Sequence, residues 1–282
     1  MTISRRQFLI TLWGTTVMVA GGFSYSHYVE PSWFKISHEM LSPPLIKSKE
    51  RLKILHLSDL HASEAVPYSH IDTAVSLGIE EHPDLICLTG DYITWTLEDK
   101  DRYKKILKKL SHLAPVFACI GNHDGGGWAG QSHGYKDFSK VKTLLIDSDI
   151  TFLFNESIKA HIKGHTIEIA GLGDFWAGDL RPSEALKSQR HGEHPVIVLS
   201  HNPDSKKHLA SYDWDLMLCG HTHGGQFKFP FLELRPFAPV RDKNFVEGLI
   251  PWKNRYIHIT RGIGNLHGMR FNCRPQVSII TI

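Results

Sequence analysis

The chain is poor in cysteine and does not pair the cysteines it has. Cys87, Cys119, Cys219 and Cys273 are the only four in 282 residues. None stands in a C-x-x-C spacing, which excludes a zinc ribbon or a disulfide-dense scaffold. Three of them sit inside apolar runs and read as small buried residues. An excess of one charge is also lacking: 32 basic and 29 acidic side chains leave a net +3 with histidines neutral. That field is too mild to mark a nucleic-acid binder. No internal repeat or biased tract interrupts the chain, so a repeat array and a disordered polymer are excluded. What remains is 41% apolar composition, enough for a full core, in a length that suits one large α/β domain. Nineteen histidines are the departure from the ordinary.

The amino terminus reads as a targeting segment. Ser4-Arg5-Arg6-Gln7-Phe8-Leu9 precedes a moderately apolar stretch that ends near Phe23 and is interrupted by Thr11, Gly14, Thr15, Thr16, Gly21 and Gly22. A paired arginine before a weakly apolar region resembles a twin-arginine export signal. The run is short and polar for a stable transmembrane helix, which wants about 18 or more apolar residues. Residues 1–30 are therefore expected to form a signal or anchor, 31–50 a linker, and 51–282 one domain. Pro43-Pro44 and the basic cluster Lys47, Lys49, Arg51 and Lys53 mark the linker, and such a cluster suits an anionic membrane surface. The expected location is the periplasm or the outer face of the inner membrane, reached through the twin-arginine machinery. A cytoplasmic, membrane-associated chain is the alternative.

From Leu52 onward short apolar runs alternate with helix-period segments. Strands are expected at 52–57, 85–88, 116–120, 167–170, 196–199, 216–219, 256–259 and 277–280. Ile71, Ala74, Val75 and Ile79 share one helical face, as do Tyr103, Ile106, Leu107 and Leu110, while Phe138, Val141, Leu144 and Leu145 mark a third helix. Alternation of strand and helix predicts a largely parallel α/β sheet. Gly125-Gly126-Gly127-Trp128-Ala129-Gly130 is too glycine-rich for helix or strand and is expected to be a mobile lip, with Trp95 and Trp176 either joining it in an apolar rim or packed under loops.

Five segments end these apolar runs with metal-binding side chains. They are Asp59-Leu60-His61, Gly90-Asp91, Gly121-Asn122-His123-Asp124, Ser200-His201-Asn202 and Gly220-His221-Thr222-His223. Ligands collect at the carboxyl ends of strands in such sheets, and all five fall there. Oxygen and imidazole donors without thiolate suit divalent manganese, iron, zinc, nickel or cobalt. Asp59 and His61 are expected to share one face of an extended strand end, because side chains alternate with period two, and His221 and His223 to repeat that pincer. Asp91, alone on its loop, is the natural bridge between two ions. Asp174 and Arg261 also end apolar runs and read as loop ion pairs or supports of the site.

These blocks resemble the calcineurin-like metallophosphoesterase superfamily, and within it the twin-arginine-exported bacterial phosphodiesterases of the YaeI type. Its pattern of Asp-x-His, Gly-Asp, Gly-Asn-His-Asp/Glu, a lone His and Gly-His-x-His stands here with no position missing. The likeness extends to His201-Asn202-Pro203-Asp204-Ser205, Arg261-Gly262-Ile263-Gly264 and Asn272-Cys273-Arg274-Pro275. The resemblance implies a four-layer α/β/β/α sandwich of two mixed sheets. It implies a first metal held by Asp59, His61, Asp91 and His223, and a second by Asp91, Asn122, His201 and His221. His123 would act beside the metals, its ring oriented by Asp124. A hydroxide bridging two divalent cations would then attack a phosphate ester in line. The expected activity is phosphodiester hydrolysis by a monomer. The alternatives are hydrolysis of UDP-2,3-diacylglucosamine at the membrane and a noncatalytic scaffold of the same fold.

Overall fold

A computed structural model describes residues 4–46, 50–131, 134–186, 194–229, 234–266 and 268–282. In chain order the main elements are α1 (Arg5–Ser24), β1 (Lys35–Met40), β2 (Lys53–Leu57), α2 (Tyr68–Glu80), β3 (Leu85–Thr89), α3 (Lys100–Ser111) and β4 (Val116–Cys119). Next come α4 (Gly127–Gln131), α5 (Ser139–Asp147), β5 (Thr151–Phe152), β6 (Glu156–Ile162), β7 (His165–Gly171) and α6 (Pro182–Ala185). The last are β8 (Val196–Leu199), β9 (Leu216–Cys219), β10 (Gly248–Trp252), β11 (Arg255–Ile259) and β12 (Gln276–Thr281).

The strands form two six-stranded sheets, ordered β1-β12-β2-β3-β4-β5 and β10-β11-β9-β8-β7-β6. Both are mixed, since β12 runs antiparallel to β2 while β2, β3, β4 and β5 are parallel. In the second sheet β7, β8, β9 and β11 are parallel and hairpin partners β6 and β10 flank them. The period-two alternation of side chains decides which layer each residue joins. Ile54, Leu85 and Cys87 point into a core shared with Ile167, Ile169, Ile197, Leu199, Leu216 and Leu218 of the other sheet. Their neighbours Leu55, Leu57, Ile86 and Leu88 point the other way, onto Ile71, Val75, Tyr103, Leu107 and Leu144 of α2, α3 and α5. Val196, Val198 and Met217 face outward from the second sheet onto Leu186, Leu209 and Trp214. Strands buried on both faces explain why these segments read as continuous apolar runs. The architecture is the expected α/β sandwich of two mixed sheets, with shorter helices outside the second sheet.

Two sequence expectations need correcting. Residues 31–50 were expected to be a linker, yet β1 lies within them and pairs in parallel with β12 along Lys35 to Met40. An edge strand with one buried side chain, Ser37, has no apolar run to announce it, and its partner lies some 240 residues away in sequence. Lys47 and Lys49 of the basic cluster lie outside the described residues. The glycine-rich stretch is not wholly loop, because Gly127–Gln131 closes a short helix with Gly130 N–H donating to Gly126 O. Gly125 and Gly126 take the positive φ that precedes it. The amino-terminal run makes a 20-residue helix, about 30 Å long at 1.5 Å per residue, and so long enough to cross a bilayer core. Ser4 and Gln7 close a capping box at its start. The side chains Phe8, Leu12, Trp13, Val17, Met18 and Phe23 are exposed along it.

The helix continues through a π-helical turn, Tyr25–Val29, whose far end is fastened to the domain. Ser26 and Glu30 are buried. Ser26 O accepts from Arg270 N–H at 2.8 Å, and the Glu30 carboxylate accepts from the N–H groups of Asn272 and Cys273.

Candidate metal centre

Five loops at the carboxyl ends of β2, β3, β4, β8 and β9 bring Asp59, His61, Asp91, Asn122, His123, His201, His221 and His223 into one pocket. All eight are at most 5% exposed. His61 Nε2 lies 3.2 Å from His223 Nε2 and 3.4 Å from Asp91 Oδ2. His201 Nε2 lies 3.1 Å from the same Asp91 oxygen, and His223 Nε2 lies 3.5 Å from Asp59 Oδ1. Three overlapping groups have donor atoms close enough for one ion each: Asp59 with His61 and His223, His61 with Asp91 and His123, and Asp91 with His201 and His221. Asp91 belongs to two of them, which fits the bridging place expected for it.

The backbone gives this convergence in a way the sequence reading did not foresee. Asp59, His61, Asp91, His221 and His223 all take positive φ, between 48° and 67°. The expectation of an extended strand end is therefore wrong for both Asp-x-His and His-x-His. Alternate residues turn left-handed after the strand has stopped, and this turning aims both side chains of each pair inward. Non-glycine residues in that region cost of order 1 kcal/mol or more each and gather at functional sites. Two glycines let the loops approach. A β-carbon at Gly121 would stand 2.2 Å from Asp91 Oδ1, and one at Gly220 would stand 2.2 Å from Asp59 Oδ2, so neither position tolerates a side chain.

Hydrogen bonds on the far side of each ring fix what faces the pocket. His201 Nδ1 donates to Thr89 O at 2.7 Å, and His123 Nδ1 donates to Thr94 O at 2.8 Å. His223 Nδ1 reaches Gly264 O at 3.3 Å. A carbonyl only accepts, so Nδ1 carries the proton and Nε2 points inward, the usual device for orienting a metal-binding imidazole. Two buried atoms in the pocket then have no hydrogen-bond partner among the described residues, Asn122 Oδ1 and His221 Nε2, while His201 Nε2 faces only the Asp91 carboxylate. Unsatisfied buried lone pairs are costly, and a cation would satisfy both.

The electrostatics point the same way. Burial pushes Asp59 up to about 6, opposed by His201 and reinforced by Asp91. Burial would lower His201, but Asp91, Asp59 and Asp174 reverse the effect and raise it to about 10. Burial is also the largest influence on His61 and His221, which fall to about 4 and about 3. The pocket thus favours a positive charge at its carboxylates while keeping other imidazoles neutral with lone pairs available. Carboxylate, amide and imidazole donors of this kind fit a divalent first-row ion.

Asp124 does not orient His123. Its carboxylate accepts N–H groups from Asp91, Tyr92 and Gly121 at 2.7–2.8 Å, so it clamps the loop that carries Asp91. Adjacent side chains leave the backbone in different directions, and Thr94 supplies the carbonyl in its place. Asp174 is buried, accepts from the N–H groups of Trp176 and Ala177, and contributes charge to His201. Arg261 pairs with Glu247 at 2.7 Å, the loop ion pair foreseen. The rim is as expected: Trp128 and Trp95 stand 4.5 and 5.4 Å from His123, and Trp176 stands 4.3 Å from His221, between ring centroids.

Sequence reasoning missed Arg270. It is fully buried and donates to the carbonyls of Cys273, Arg261, Gly262 and Gly264. Gly264 in turn donates to Asp59 O at 2.7 Å. Arg270 therefore frames the loop behind Asp59, and no motif marks an arginine that binds only carbonyls.

Comparison with known proteins places this geometry. A family model described as calcineurin-like phosphoesterase matches residues 52–225. Phosphodiesterase YaeI of Escherichia coli (strain K12) is 42% identical over 99% of both chains. An uncharacterized metallophosphoesterase, YkuE of Bacillus subtilis (strain 168), is 29% identical over 99% of this chain and 98% of its own. UDP-2,3-diacylglucosamine pyrophosphatase LpxG of Chlamydia muridarum is 24% identical over 91% of each.

Proposed function

The chain belongs to the calcineurin-like phosphoesterase family, hydrolases of phosphate esters, and on that premise we propose that it is a phosphodiesterase working with two divalent cations. Asp59, His61, Asp91 and His223 would hold one ion, and Asp91, Asn122, His201 and His221 the other. When bound, such ions lower the pKa of a water towards neutrality and screen the charge of the phosphate. The protein's own groups do the rest. Asp124 and Arg270 hold the loops that aim Asp91 and Asp59. His123, with Nδ1 tied to Thr94 O, keeps Nε2 turned into the pocket. In its doubly protonated form it would give the Nε2 proton to the departing oxygen and remain neutral, with Nδ1–H on Thr94 O. Trp95, Trp128 and Trp176 shield the pocket from water and offer a face to the leaving group. The observation that carries this reading is the convergence of two partnerless buried donor atoms, Asn122 Oδ1 and His221 Nε2, with three further histidines and two carboxylates in one pocket.

A second reading is hydrolysis of the pyrophosphate of UDP-2,3-diacylglucosamine. Likeness to the chlamydial pyrophosphatase along most of the chain and the exposed apolar α1 support it, but the phosphodiesterase relative is more similar by 42% to 24%. The test is turnover by the metal-reconstituted full chain on phosphomonoesters, phosphodiesters, cyclic nucleotides and UDP-diacylglucosamine. Fastest turnover of a diester is expected. Preference for UDP-diacylglucosamine moves the assignment to the second reading, and preference for monoesters removes the diester assignment.

A further inference from the structure

A second concave site, with none of the proposed metal ligands among its walls, lies where α1 meets the domain. A cavity of about 410 Å³ there is walled by Lys35, Lys228, Arg261 and Arg274, with Glu30 and Glu247 as its two carboxylates. Both carboxylates are engaged by the protein. Glu30 accepts two backbone N–H groups, and Glu247 pairs with Arg235 and Arg261 at 2.5 and 2.7 Å. Arg274 is held in place by Trp33 O at 2.8 Å and by Phe34 O, with its guanidinium 4.0 Å over the Trp33 ring. Among the described residues neither Arg274 nor Lys35 forms an ion pair. A preorganised guanidinium beside lysines is the usual recognition chemistry for a phosphate oxyanion.

The position of the cavity says which phosphate. Tyr25, one of its walls, is the first residue after α1, whose apolar side chains stand exposed to the end of the helix. Trp33, another of its walls, is 52% exposed, and Tyr28 of the π-helical turn is 70% exposed; Tyr and Trp favour the headgroup layer of a bilayer. If α1 spans the hydrocarbon, the cavity opens at the depth of the lipid phosphates. Basic residues there are drawn to an anionic leaflet. We propose that this cavity binds the phosphate headgroup of an anionic phospholipid and so fixes the domain against the membrane that α1 enters.

The experiment uses the full chain extracted in detergent. Native mass spectrometry, which also reports whether the lipid stays intact, follows retention of phosphatidylglycerol against phosphatidylcholine. One phosphatidylglycerol per chain is expected, held about tenfold more tightly than phosphatidylcholine. Lys35→Gln with Lys228→Gln should bring retention down to the phosphatidylcholine level while hydrolysis of a soluble chromogenic diester stays at the wild-type rate, which shows that the variant is folded. If that double variant is inactive, Lys35→Gln alone serves, with a fall of at least threefold expected. Equal retention of the two lipids, or undiminished retention by the folded variants, overturns the proposal. Displacement of the lipid by millimolar inorganic phosphate that disappears in the variants overturns the lipid assignment, since it makes the cavity a soluble phosphate site.

Discussion

The molecule buries histidines in two places, for opposite purposes. His56 and His258 lie between the sheets, fully buried, with Nδ1 atoms 2.9 Å apart and His56 Nε2 2.8 Å from Thr89 Oγ1. The five at the metal centre, His61, His123, His201, His221 and His223, are buried as well. Thr89 touches both sets, since its carbonyl accepts from His201. A partnerless nitrogen does not separate them, because His258 Nε2 lacks a partner too. Carboxylates do. The influences on the inner pair are burial and, for His56, its neighbour His258, whereas Asp59, Asp91 and Asp174 bear on His201. Burial makes a histidine neutral; burial beside carboxylates at a strand end makes a place for a cation.

The largest effect should come from breaking that distinction at its centre. Asp91→Asn removes the carboxylate shared by two of the three groups, so metal content should fall and diester turnover should drop to background. His258→Gln should keep both. Elemental analysis of the purified variants decides the matter: if Asp91→Asn retains the wild-type metal content, carboxylate placement is not what separates the two regions.

Next in size is a histidine inside the metal pocket that the proposed assignment does not use as a ligand. His123→Ala should retain its metals and lose about 10²–10⁴ in turnover, the usual contribution of a general acid. Loss of metal along with activity would instead make His123 a ligand, in line with its place in the middle group.

The sequence made the metal centre more legible than its surroundings. Asp59, Asp91, Asn122, His201 and His223 were visible because each ends a buried strand, and such strands read as apolar runs. His56 sits three residues before Asp59 in the same run, and no local signal tells a core histidine from a site histidine. The distinction depends on partners brought in from β11 and from other loops. Asp124 was visible as a motif residue, but its role was not, since the three N–H groups it binds come from two separate loops. β1 and Arg270 were missed for one reason: both interact mainly through backbone, β1 with a strand at the far end of the chain and Arg270 with carbonyls. Backbone partners leave no residue pattern. Positive φ at five pocket residues was equally invisible, because Asp and His give no warning of it as glycine would.

The smallest effect is on stability, and it tests the inner pair alone. Burial lowers His258 to about 3 and His56 well below its ordinary value, while both titrate near 6.5 in the unfolded chain. At pH above that value neither state binds the proton, and the pair costs nothing. As pH falls from about 6.5 towards 3, the unfolded chain takes up a proton that the native state refuses, so stability declines with acidification by about 1.4 kcal/mol per pH unit for each histidine. His258→Gln removes one of the two. Between pH 7.5 and pH 5 it should therefore lose about 2 kcal/mol less stability than wild type, read from urea midpoints at the two values. Other titrating groups are shared by both proteins and cancel in the difference. Equal acid losses in the two proteins would mean that His258 is already protonated in the native fold, and the inner pair would then need a counter-charge as the metal centre does.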